Sequence, residues 1–227
     1  MTGGESFPLS YAQQRIWFMH RLEPASTGYN IPLAFRLTGP IRPDVLERVL
    51  REIQGRHEVL RTCYPLEAEG PVQRIDPESS FRLETVDLRH LPAPDREAEA
   101  ERLGLALVRR PFDLDTGPVM RGVCFQLGDA DFALVIVIHH IATDGWSMGV
   151  LIREIGALYA PFHLGEASPL PELPIQYADF AVWQREWLEG GELANQLDYW
   201  RTQLRDLPTE GVLAVGPRTT GVPVSCG

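Results

Sequence analysis

Seven apolar residues in a row, Phe132 to Ile138, stop abruptly at His139 and His140. A continuous run this rich in Val and Ile predicts a strand buried on both faces. Upstream, Val119, Val123, Phe125 and Leu127 fall on one face with Arg121 between them, which predicts another strand. Gly128-Asp129-Ala130-Asp131 between the two runs is turn chemistry, so an antiparallel hairpin is expected. Near the start, Ile31, Leu33, Phe35 and Leu37 alternate with Pro32, Ala34, Arg36 and Thr38. That period of two predicts a half-buried strand, and Pro32 places it at an edge or at a strand start.

The remaining apolar positions recur at helical spacing. Ser10 is an expected N-cap before Ala12, Ile16 and Met19. Pro43 opens a second helix with Leu46, Val49, Leu50 and Ile53 as its stripe. A third runs from about Pro94 to Val108, with acidic residues in its first turns, as the helix dipole prefers. After Gly145, Met148, Leu151, Ile152, Ile155, Leu158 and Tyr159 share a helical face. Pro161, Pro169, Pro171 and Pro174 mark a surface loop. Tyr177 to Leu204 is helical again, broken at Gly190-Gly191, with Leu193, Leu197, Trp200 and Leu204 on one stripe of its second part. From Thr209 onward no period is visible, and residues 209–227 are read as an unstructured tail. The expectation is an α/β (α+β) domain of three to five helices on a mostly antiparallel sheet.

Composition narrows the function classes. A net charge of -10 over 227 residues argues against nucleic acid as the main partner, because phosphate binding needs a basic surface. Cys63, Cys124 and Cys226 are odd in number and lack metal-ligand spacing, which reads as reduced thiols in a cytoplasmic protein. The start, MTGGESFPLS, has no signal-peptide pattern, and no apolar run reaches the roughly 20 residues that span a bilayer.

The chemistry-bearing residues cluster at the end of the long apolar run. Consecutive strand residues face opposite ways, so of His139 and His140 one can face a cleft while the other packs inward. Imidazole changes charge near neutral pH and suits general base work. Asp144 can orient a histidine, cap the following helix or pair with a buried arginine. Gly145 allows a sharp turn and leaves backbone N–H groups open to a developing oxyanion. The structural readings stand beside these: a His-His pair at a strand end is commonly packing, and an Asp before a helix is commonly a cap. A metal site from His139, His140 and Asp144 fits poorly, since adjacent histidines diverge and no further His or Cys lies at ligand spacing.

The stretch from His139 to Ser147, HHIATDGWS, resembles the HHxxxDG motif of condensation domains from non-ribosomal peptide synthetases. Four further stretches resemble that family's motifs in the family's order. They are SYAQQRIW from Ser10, RHEVLRT from Arg56, RPFDL from Arg110 and YADFAVWQR from Tyr177. Together they cover about residues 7–208.

The resemblance implies a chloramphenicol acetyltransferase-like lobe. In the family two such lobes pack as a pseudodimer around a tunnel. Donor and acceptor arrive as phosphopantetheine thioesters on carrier proteins, and the acceptor amine attacks the donor thioester to form a peptide bond. Carried over by position, His140 is the catalytic histidine, as general base or as positioning group, and Gly145 lies near the reacting carbonyl. His139 packs behind the strand, and Asp144 pairs with an arginine of the second motif, Arg61 before Arg56. Trp146, Tyr177 and Trp183 are expected to pack. The wording around Tyr29 to Pro32 and Asp144 to Leu151 looks most like the subtype joining an L-configured donor to an L-configured acceptor. No cofactor attachment serine, nucleotide site or metal site is visible on the chain itself.

A family domain is roughly twice this length, so residues 7–208 correspond to its N-terminal lobe and a C-terminal lobe is missing. The similarity fades after Leu207-Pro208-Thr209. The competing reading is a non-catalytic lobe that folds or binds a carrier protein without turnover. An HxxxxD spacing from His139 to Asp144 also looks like glycerolipid acyltransferases, but the surrounding motifs do not.

Overall fold

The structure is a computed structural model and describes residues 6–207, so the expectation for residues 209–227 lies outside the described residues. The chain opens with β1 (Ser6–Pro8), α1 (Tyr11–Leu22), β2 (Asn30–Thr38) and α2 (Pro43–Arg56). A 3-10 turn (Glu58–Arg61) leads into β3 (Thr62–Cys63), β4 (Leu66–Glu67), β5 (Gly70–Ile75) and β6 (Leu83–Asp87). Then come α3 (Ala93–Val108), β7 (Met120–Gly128), β8 (Asp131–His139) and α4 (Gly145–His163). α5 (Tyr177–Trp187), a π-type turn (Leu188–Glu192) and α6 (Leu193–Gln203) close the described chain. It divides into two units, Met1–Glu186 and Trp187–Gly227.

In the first unit the main sheet has the order β2-β8-β7-β6. β7 and β8 form the expected antiparallel hairpin, and β2 is an edge strand, one of the two placements that Pro32 allows. Leu134, Ile136 and Ile138 of β8 enter a core with Val49, Leu50 and Ile53 of α2 and Leu151 and Leu158 of α4. Ala133 and Val135 point the other way, into a cluster with Ala100, Leu103 and Leu107 of α3. Helices on both faces are why an uninterrupted apolar run suits β8, each fully buried aliphatic side chain stabilising by ~1.5–3 kcal/mol. Both faces close fully only from Ile136 to His139; Ala133 and Val135 stay half-buried.

Several elements depart from the expectation. Six α-helices stand among the described residues rather than three to five. β6 joins β7 in parallel, with α3 as the crossover, so the sheet is mixed at that edge. A second small sheet, β1-β5-β3 with β4 on β5, comes from short polar segments. α4 does not end at Pro161 but runs through it to His163. Pro161 sits in the last turn, where its missing N–H removes a single helical bond, and Gly165 at φ 80 then closes the end. Ile152 faces outward rather than joining the buried stripe.

Gly156 lies inside α4, and a Cβ there would meet nothing within 4 Å. Gly156→Ala is therefore expected to stabilise the chain by about 0.5–1 kcal/mol, by restricting the unfolded chain at no steric cost. The denaturation midpoint in urea checks it, and a lower midpoint would contradict it.

In the second unit Gly191 adopts φ 115, which breaks the helix where Gly190-Gly191 predicted a break. Leu193, Leu197, Trp200 and Leu204 are all exposed. Among the described residues no helix is long and apolar enough to cross a membrane.

Candidate active site

The site is built where β8 stops. The His139 N–H donates to Val119 O at 2.9 Å and the His140 N–H to Tyr29 O at 2.8 Å. The strand's alternation then sends the two rings apart. His139 is 2 % exposed, set edge-on to Phe112 and His20. Its Nδ1 accepts the Ile141 N–H at 3.2 Å. Burial, reinforced by nearby His20, His140 and Arg121, pushes its pKa down to about 3, so it is neutral in any ordinary buffer.

His140 faces a cavity of about 550 Å³. Its Nδ1 lies 2.6 Å from the Thr143 carbonyl oxygen. A carbonyl only accepts, so Nδ1 carries the hydrogen and the neutral ring keeps a bare lone pair on Nε2. Around it, α1 supplies Ala12, Arg15 and Ile16, and α4 supplies Ser147, Val150 and Leu151. Segment 173–180 adds Ile175, Tyr177 and Phe180. Tyr177 thus belongs to the cavity wall, with its hydroxyl 3.0 Å from Ser10 Oγ, while Trp146 is 84 % exposed instead of packed.

Asp144 makes none of the expected arginine contacts. It caps α4, accepting from Ser147 N at 2.8 Å and Ser147 Oγ at 2.6 Å. These donors lie three residues away, so the bond needs little ordering of the chain. Arg61 bonds Glu58 at 3.2 Å and also reaches Asp76 O; Arg56 pairs with Glu154 at 3.1 Å. Gly145 begins α4 with a φ outside the left-handed region, so the turn does not require glycine. A Cβ there would meet nothing within 4 Å, and Gly145 does not line the cavity.

The Ser147 hydroxyl and N–H hold the Asp144 carboxyl below the usual carboxylate range. A lowered folded pKa gives stability that is present above the unfolded pKa and lost as pH falls through the folded one. Asp144→Ala is expected to cost about 1 kcal/mol at neutral pH and to lose that deficit in acid. Asp144→Asn keeps the cap and removes its acid dependence. Urea midpoints at neutral and acid pH check both, and a pH-independent deficit in Asp144→Ala would contradict the assignment.

Glu154 is a site residue that no motif marks. It is 8 % exposed, with one oxygen on Arg56 Nε and the other 2.7 Å from His57 Nε2. The signal was present: a carboxylate between Leu151 and Leu158 interrupts the buried stripe of α4. A second buried node is Gln13, whose Nε2 reaches Gln73 Oε1 at 3.0 Å and Tyr64 Oη at 3.3 Å. It ties α1 to the small sheet beside the cavity. Among the described residues no group of three or more His, Cys, Asp or Glu could hold a metal.

A family profile described as condensation domain matches residues 4–220. The chain is 46% identical over 212 residues to one component of the linear gramicidin synthase from Brevibacillus parabrevis, covering 91% of this chain and 4% of that protein. It is 43% identical over 211 residues to chondramide synthase cmdD from Chondromyces crocatus, covering 93% of this chain and 5% of that protein. Among solved structures, the X-domain complexed with OxyB from teicoplanin biosynthesis matches with a TM-score of 0.82 at 30% identity, over 94% of this chain and 46% of that one. The starter condensation domain of rhizomide synthetase RzmA shares the fold, with a TM-score of 0.82 at 22% identity, over 91% of this chain and 49% of that one. The chain therefore spans about half the length of the solved chains it matches and a small part of the curated relatives. By a profile match over nearly its whole length, the chain belongs to the condensation-domain family.

Proposed function

We propose that residues 7–208 form the N-terminal lobe of a condensation domain and take part in peptide-bond formation on carrier-bound thioesters. The observation that carries this reading is His140. Its Nδ1 is fixed on Thr143 O, and its ring lines a cavity large enough for the end of an extended chain. In the reaction the acceptor α-amine attacks the donor thioester carbonyl, the C–S bond breaks and the sulfur leaves as a thiol after taking up a proton. A lone pair on Nε2 can take the proton from nitrogen or hold the amine in line for attack. Gly145 adjoins Asp144 of the cavity wall, and the space beside it, though outside the cavity, is open. Asp144, by capping α4, and His139, by filling the core, hold the loop that carries His140. Arg56 and Arg61 brace the segment that follows α2.

The partners in this reading are peptidyl or acyl carrier proteins, which bring the phosphopantetheine thioesters as substrates, and a C-terminal lobe. The share of the solved chains covered, about half, supports the need for that lobe. Free Cys63 and Cys124 suit a cytoplasmic setting. A second reading, a non-catalytic lobe, draws on the exposed Phe18, Met19 and Leu22 of α1, which leave apolar surface uncovered.

The test is a condensation assay with donor and acceptor carrier proteins loaded with a panel of aminoacyl thioesters. The chain is assayed alone and with the C-terminal lobe of a relative added, and dipeptidyl thioester is read by mass spectrometry. Product in either arm supports acyl transfer. A folded chain that gives none in both arms overturns it in favour of the non-catalytic lobe.

A further inference from the structure

His140 does not face the cavity alone. His57, from the end of α2, lines the same cavity. Its Nε2 lies 2.7 Å from Glu154 Oε2. A carboxylate only accepts, so Nε2 carries the hydrogen and Nδ1 of the neutral ring is bare. Nδ1 has no protein hydrogen-bond partner among the described residues. The ring cannot easily turn away. Glu154 is buried, and its other oxygen is held by Arg56 Nε at 3.1 Å. Arg56 is in turn anchored on Pro171 O, and Gln176 clips the Arg56 carbonyl and the Glu58 N–H. The opposed charges of Arg56 and Glu154 cancel. Two imidazoles thus line the cavity, each with one nitrogen bonded to a protein acceptor and the other unused by the protein.

We propose that His57, oriented by Glu154, binds the acceptor's primary ammonium group through Nδ1 and takes its first proton. This inference rests on the acyl-transfer reading of the same cavity. The proton balance motivates two acceptors. An ammonium nitrogen loses two protons on becoming an amide N–H: one must end on the departing sulfur and the other must leave for solvent. His57 accepts the first and releases it to water. The freed nitrogen pair then attacks the carbonyl, the C–S bond breaks, and the second proton passes by way of His140 to sulfur. Besides His140, the titratable groups lining this space are Arg15, Asp144 and Tyr177, while Arg56 and Glu154 are engaged with each other and Glu58 is turned to Arg61.

The experiment is nitrogen NMR of the full chain labelled at histidine, with the unlabelled C-terminal lobe of a relative added, titrated with alanyl-aminopantetheine, in which an amide replaces the thioester, and with its N-acetyl counterpart. The free chain is expected to show His57 as the Nε2–H tautomer and His140 as the Nδ1–H tautomer. The free-amine probe should displace His57 Nδ1 and His140 Nε2, and the N-acetyl probe should leave His57 unmoved. Displacement at His140 without His57 overturns this proposal and leaves the acyl-transfer reading standing; displacement at neither overturns both. In the condensation assay His57→Gln, which keeps a donor for Glu154, should raise the acceptor KM by about 10-fold, the worth of one charge-assisted hydrogen bond, with donor KM unchanged. An unchanged acceptor KM counts against the proposal.

Discussion

His140→Ala is expected to lower dipeptidyl thioester formation by about 10²–10⁴-fold, the range for loss of a positioned acid–base group. The fold should survive the change. The backbone bond from His140 N–H to Tyr29 O remains, and what is lost is the ring's bond to the Thr143 carbonyl and its tilted contact with the Tyr29 ring. Circular dichroism and the urea midpoint of the variant separate lost chemistry from lost structure. His140→Gln divides the two roles open to the ring. A glutamine amide can offer an oxygen near the place of Nε2 and so hold the amine, but it takes no proton. Substantial recovery in His140→Gln would assign His140 to positioning; activity as low as that of alanine would assign it to proton transfer. Wild-type rates in His140→Ala would remove the ring from the mechanism altogether.

The largest expected loss of stability at the site comes from Glu154→Ala, about 3–5 kcal/mol. The reason lies in what would remain. Arg56 would keep its bond to Pro171 O but lose its acid, and His57 would lose the acceptor of its Nε2–H, all in a largely buried setting. Breaking one member of a buried pair strands the others, which costs more than the pair itself contributes. Glu154→Gln retains an oxygen and adds a donor, and about 1–2 kcal/mol is expected. Urea denaturation of both variants checks the order. A Glu154→Ala midpoint within about 0.5 kcal/mol of wild type would mean that the cluster does not hold α2 to α4.

Much of the main sheet was legible because its signals are local. The β8 run, the turn from Gly128 to Asp131 and the alternation in β2 each express their own burial. The Ser10 cap was legible for the same reason, and the structure adds Gln13 closing the reciprocal bond. β6, with its sequence LETVD, was not legible. Its pairing with β7 is parallel and spans α3, so no turn announces it. β3 and β4 have two residues each, too few for a period to show. At the site, the cavity-facing side chains of His57 and Tyr177 come from separate segments, and no spacing rule connects them. For Asp144 the residues alone allow a helix cap as well as an arginine partner, and the cap is what forms; motif order says which segments approach each other but not which atoms meet. The nearest donors were in its own turn.

The pairing of β2 with β8 also bears on the order of folding. β7 and β8 are joined by a tight turn and can zip together soon after the chain collapses. Asn30 pairs with His139 across more than a hundred residues, and closing a loop of that size costs roughly 4 kcal/mol of chain entropy before any contact repays it. β2 is therefore a late arrival. The His140 amide waits for Tyr29 from the segment leading into that strand, so the histidine loop takes its final form only when the most distant piece of the sheet has docked.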